Sequence, residues 1–205
     1  MRTQGGITVT RCKVALLAVS VVILAFGAAY GQNELSDFPV GTTEMTYRIT
    51  TADLPDPQTL ELTVTGLPDG RYRVRMTAES TGTPDQLSLF GFMFGMTTVR
   101  SGGTDIDFGP ISALLSHRDV LAVGEDYVLP GGGSFHATAE QDIAEVPCLI
   151  GTYTDPDHPD TRTTLAFSRE KPVFIAPLIK VEERHGSGWE VTFLLELTSY
   201  SVTEG

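Results

Sequence analysis

VFIAPLIKVEERHGSGWEVTFLLELTSYSV, residues 173–202, decides the fold class of this 205-residue chain. It reads as two strands around a tight turn: an apolar arm Val173–Glu183, the turn Arg184–Gly188, and a return arm Trp189–Val202. On the return arm Trp189, Val191, Phe193, Leu195 and Leu197 alternate with Glu190, Thr192, Leu194, Glu196 and Thr198. A period of two in β-branched and aromatic residues predicts a strand with one face on a core and one toward water. Gly186 and Gly188 bracket the turn, where a positive φ costs least.

Upstream, Thr59–Gly66 and Arg71–Ser80 read as a hairpin closed by Leu67-Pro68-Asp69-Gly70. Pro68 and Asp69 suit the centre of a type I turn, and Gly70 the left-handed residue that completes a three-residue loop with a bulge. That loop predicts Val64 opposite Val74, Leu62 opposite Met76 and Leu60 opposite Ala78, all on one face. Arg71, Arg73 and Arg75 share the other face with Glu61, Thr63 and Thr65, as a solvated cross-strand surface. Further strands are expected over Glu44–Thr51, within Val120–Leu129, and over Phe135–Ile143, Val146–Tyr153 and Arg162–Ser168. Ser101–Asp107 reads as loop, and Pro110–His117 as one short helix with Pro110 in its first turn. About nine strands with no alternating βα pattern predict an all-β fold, a curved antiparallel sheet forming a half-barrel or open barrel.

Residues 1–31 stand apart. Arg2, Arg11 and Lys13 precede the uncharged apolar run Val14–Phe26, and Ala29-Tyr30-Gly31 supplies small residues for cleavage before Gln32. This is the pattern of a secretory signal helix, so the protein is expected to be exported, periplasmic or secreted. The alternative is an uncleaved anchor over residues 14–31, which would be its one link to the membrane. Residues 32–205 then form a single domain of 174 residues with 11 basic and 26 acidic side chains, net −15. Such a surface repels nucleic acid. Only Cys148 remains in that domain, so no internal disulfide is available, and its alternation with Val146 and Ile150 marks a buried small hydrophobe.

Reactive groups are scattered. Asp155-Pro156-Asp157-His158-Pro159-Asp160 offers three carboxylates and an imidazole, but without the spacing, glycine and distal glutamate of a calcium loop. Asp105 and Asp107 have no third group beside them, and Ser134 follows three glycines without a nucleophile motif. No metal or cofactor is expected, and no catalytic residue. The segment Gln86–Val99 packs Leu87, Leu89, Phe90, Phe92, Met93, Phe94 and Met96 between Gly91 and Gly95. It is either a bent core strand or an apolar loop in contact with a ligand.

Phe38-Pro39-Val40-Gly41 with Tyr47, Val123-Gly124-Glu125, Val146-Pro147-Cys148, and a proline-containing strand before Leu194–Tyr200 together resemble an uncharacterised family of exported bacterial β-domains. Those domains are similar to the lipoprotein-carrier half-barrels of the bacterial envelope. Glu145 departs from the pattern, standing where a glycine is usual. The resemblance implies a sheet wrapped around an apolar cavity and supplies no catalytic residue. The expectation is therefore a non-catalytic exported domain holding an apolar or lipid-like ligand, with Phe90, Phe92, Phe94, Met96, Leu114 and Trp189 in the lining. The alternative is a structural or partner-binding envelope protein with a filled core; a hydrolase using the acidic loops ranks behind both.

Overall fold

The computed structural model describes residues 35–52, 54, 56–80, 98–101, 104–107, 114, 118–129 and 132–205. The signal segment, Phe90, Phe92, Phe94, Met96 and all of the expected helix except Leu114 lie outside these residues.

Eleven strands are described: β1 (Gly41–Thr51), β2 (Gln58–Gly66), β3 (Tyr72–Glu79), β4 (Thr98–Ser101), β5 (Thr104–Asp107), β6 (Asp126–Val128), β7 (Ser134–Ile143), β8 (Val146–Thr154), β9 (Thr161–Ser168), β10 (Leu178–His185) and β11 (Gly188–Glu204). Nine form one antiparallel sheet in the order β3-β2-β1-β11-β10-β9-β8-β7-β6, while β4 and β5, among the described residues, pair only with each other. The large sheet is not closed. Two meanders, β1–β3 and β6–β11, meet at a central ladder of β1 with β11.

One face of this sheet is the core. Leu60, Leu62 and Val64 of β2, Met45, Tyr47 and Ile49 of β1, and Phe193, Leu195 and Leu197 of β11 are buried there. On the same face Val181 of β10, Leu165 and Phe167 of β9, Leu149 and Tyr153 of β8, and Phe135 and Ala137 of β7 continue the cluster. Strand twist curls the sheet around these side chains, giving it an inner and an outer face.

The β2–β3 hairpin has the predicted register, with 64 opposite 74, 62 opposite 76 and 60 opposite 78. Gly70 has φ +78°, Gly70 N–H donates to Leu67 O, and Leu67 N–H donates to Arg71 O. At β7–β8 the chain turns through Ala144 and Glu145, both with positive φ (+48° and +63°). That is the two-residue primed turn whose twist suits a hairpin, built without glycine. The Lys171 ammonium donates to the Glu145 carbonyl.

Three expectations are corrected. The arm Val173–Glu183 is not one strand. Pro172 and Pro177 cannot donate to a ladder, and β10 begins only at Leu178. The preceding segment instead crosses the inner face: Tyr47 Oη donates to Ile175 O at 2.8 Å, Phe174 N–H points to Met45 Sδ at 3.5 Å, and Leu197 N–H donates to Pro177 O at 2.7 Å. Second, the alternation on β11 breaks. Val181 pairs with Phe193 but Glu182 with Val191, so Thr192 is the extra residue of a β-bulge. A bulge shifts the side-chain phase; Phe193, Leu195 and Leu197 are buried, whereas Val191 is exposed and Trp189 half-buried. Third, Ser101 and Thr104–Asp107 are strand rather than loop, with Ser101 paired to Thr104 and Arg100 to Asp105.

Candidate functional site: the open border of the sheet

Of the expected lining residues within the described part, Leu114 is buried in the core cluster, and Trp189 is not a member of it. The Trp189 ring lies under two guanidinium groups, Arg162 at 4.4 Å and Arg184 at 4.9 Å from its centroid. Arg184 is its cross-strand partner, and Arg162 reaches it from β9. The structure does not bring Trp189 and Leu114 together in one cluster.

The candidate reactive groups whose side chains are described are each engaged locally. Asp155 Oδ1 accepts from Asp157 N–H at 2.9 Å and Oδ2 faces His158 Nδ1 at 3.2 Å, forming an Asx-type turn. The Asp157 N–H, assisted by His158, holds the Asp155 carboxyl below its usual range. His136 Nδ1 meets Asp126 Oδ1 at 2.8 Å on the exposed β6–β7 surface, while Ser134 Oγ bonds Thr154 Oγ1 at 3.0 Å. Cys148 is buried, and burial pushes its thiol up to about 12. Asp105 and Asp107 pair in register with Arg100 and Thr98. Among the described residues no three His, Cys, Asp or Glu side chains gather in a metal-binding group.

What the described surface does present is a border where the core runs out. On the inner face Leu60, Leu62 and Val64 of β2 are at most 1 % exposed, yet their β3 partners Met76 and Val74 are 39 % and 40 % exposed. Every β3 residue beyond Tyr72 is exposed. On the outer face of the same strand Arg73 stands opposite Thr65 and Arg75 opposite Thr63. Arg71 is tied to Asp69 at 2.6 Å, but Arg73 and Arg75 have no ion-pair partner among the described residues.

The two borders of the sheet differ. β6 has three residues and is pinned from behind, its Tyr127 Oη bonded to Ala122 N–H (2.7 Å) and Val120 O (3.2 Å). A short border strand offers little to pair with. β3 has eight residues, no proline, and no strand on its far side among the described residues. The pattern of this hairpin was readable in sequence, but not which strand would be the last.

No family model matches the chain, and no curated protein matches it. Among solved structures, the chain is similar in shape to MucB in complex with MucA(peri), at 14 % identity and a TM-score of 0.42, covering 87 % of this chain and 53 % of that one. MucB alone gives 14 % identity and a TM-score of 0.42, over 92 % of this chain and 60 % of that one. The Pseudomonas aeruginosa MucA/MucB complex gives 15 % identity and a TM-score of 0.42, over 87 % and 55 %. The chain thus spans between half and two thirds of the length of these structures.

Proposed function

We propose that this chain is an exported, non-catalytic domain of the cell envelope that works by binding a partner polypeptide. Export is supported by the basic, apolar, small-residue order of residues 1–31. The observation that carries partner binding is the step in burial between β2 and β3. Two large apolar side chains, Val74 and Met76, stand about 40 % exposed beside the buried Leu60, Leu62 and Val64 of β2. Contiguous exposed apolar surface on a soluble domain marks a place of contact.

A second reading draws on the same half-exposed inner face: an apolar ligand held there, with Phe90, Phe92, Phe94, Met96, Leu114 and Trp189 as its lining. One experiment separates the two. A photo-crosslinking residue is placed in turn at Val74, Val128, Val191 and Val202, all exposed, and the exported protein is also weighed under native conditions. Crosslinks to one defined polypeptide from a confined set of positions support partner binding. Lipid bound one-to-one, with no polypeptide crosslink from any position, overturns it in favour of the ligand reading.

A further inference from the structure

Resting on that partner-binding reading, we infer that the free side of β3 receives an extended acidic segment of the partner, which adds to the sheet as a tenth strand.

The main chain sets the geometry. Leu67 N–H donates to Arg71 O at 2.8 Å, and these two residues oppose each other at the hairpin end. In an antiparallel ladder the bonded pairs then recur every second residue. Arg73, Arg75 and Thr77 therefore bond across to Thr65, Thr63 and Glu61, their register partners. The N–H and C=O groups of Tyr72, Val74, Met76 and Ala78 point the other way, to the side where no described strand lies. A row of such groups is a template for another strand.

The side chains set the chemistry of the occupant. An added strand continues both faces of the sheet, so alternate residues lie beside Val74 and Met76 on the inner face and beside Arg73 and Arg75 on the outer. Apolar residues fit the first set. Carboxylates fit the second, because the β2 residues directly opposite these arginines are Thr65 and Thr63, and among the described residues neither the diagonal Glu61 nor any other carboxylate forms an ion pair with them. Opposite charges across a ladder stabilise, and like charges directly opposite do the reverse. The chain as a whole carries net charge −12, so an unpaired basic stripe on its border is against the trend of its surface. The same argument disfavours a second copy as occupant: pairing β3 with β3 so that Val74 of each copy lies beside Met76 of the other sets Arg75 directly against Arg75.

The test uses the whole exported protein and labelled eight-residue peptides, one alternating Glu with Val and one alternating Lys with Val, read by fluorescence anisotropy. The Glu-Val peptide is expected to bind at least about tenfold tighter than the Lys-Val peptide, with affinity falling as salt rises. R73E/R75E, at exposed outer-face positions, is expected to reverse that order. Val74→Pro, which removes one outward N–H and spares those facing β2, is expected to abolish binding of both peptides while melting within a few degrees of the parent. Equal binding of the two peptides, no binding of either, or undiminished binding to a folded Val74→Pro protein overturns the inference. If the peptides fail while a polypeptide crosslinks from Val128 or Val191, the β3 assignment falls and partner binding stands. Lipid in place of any polypeptide removes both.

Discussion

Arg162 forks onto Glu182 across the β9–β10 ladder, with Nε 3.0 Å from Oε2 and Nη2 3.2 Å from Oε1. Lys180 Nζ adds a third contact at 3.2 Å, and Glu182 is only 7 % exposed. Removing the fork leaves a mostly buried carboxylate with one flexible ammonium. Arg162→Ala is therefore expected to cost about 2 kcal/mol, a fall of about 4–8 °C in melting temperature by circular dichroism. The same variant uncovers one face of Trp189 and is expected to change its fluorescence.

The same pair sets a pH response. Burial raises the Glu182 carboxyl, but hydrogen bonds and charge from Arg162 and Lys180 outweigh it and hold the group below the usual glutamate range. A depressed folded-state value means the stabilisation is complete above the unfolded value of about 4.3 and is lost as pH falls through the folded one. Thermal melts from pH 7 to pH 3 should show stability dropping below about pH 4.3. Glu182→Gln should flatten part of that drop while lowering stability at pH 7.

Tyr47 is fully buried, and its hydroxyl donates to the Ile175 carbonyl at 2.8 Å, pinning the crossing segment to β1. Burial raises this phenol far above its ordinary value, so it stays a donor. Tyr47→Phe keeps the ring and strands the carbonyl, an expected cost of about 1–2 kcal/mol by urea denaturation. Proteolysis should then quicken within residues 169–177 before it does elsewhere in the sheet.

Glu145 holds a left-handed backbone at φ +63° that glycine adopts without penalty. Glu145→Gly should relieve about 1–2 kcal/mol of strain, partly offset by a looser unfolded chain. The expected net is a gain of about 0.5–1 kcal/mol, visible as a higher midpoint in urea.

Gly151 has the opposite requirement. A Cβ built there falls 2.1 Å from Phe135 Cζ and 2.5 Å from His136 O. Phe135 is itself fully buried, edge-on to Phe167 at 5.5 Å between centroids, and has no room to yield. Gly151→Ala is expected to cost about 3 kcal/mol or more by thermal melting, the upper range for overpacking.

Much of the architecture was legible because local and global signals agree. The Pro68-Asp69-Gly70 loop and the apolar alternation of β2 and β3 lead independently to the same register. The Ser101–Thr104 hairpin was missed although Gly102-Gly103 between short strands is a turn signal, since four-residue strands rich in Thr, Ser and Asp carry little hydrophobic pattern. The phase change at Thr192 was hidden for a different reason: a bulge leaves composition intact and shifts only which face each residue meets. Trp189 was for that reason placed on the core face, where period two alone puts it. The β3 border was the least accessible feature. Val74 and Met76 look like core residues in any window of sequence; only the order of nine strands reveals that nothing described lies beyond them.

The ladder of β1 with β11 joins Gly41 to Glu204 and Thr51 to Phe193, so the seam at the middle of the sheet is made from the earliest and the latest strands of the domain. A chain that emerges amino end first cannot shut that seam until β11 arrives. Until then β1 and β10 both lack a neighbour, and each is a bare edge open to mispairing. Completion of the sheet accordingly waits for the seventeen residues of β11, and the hazardous interval is the time before they are available.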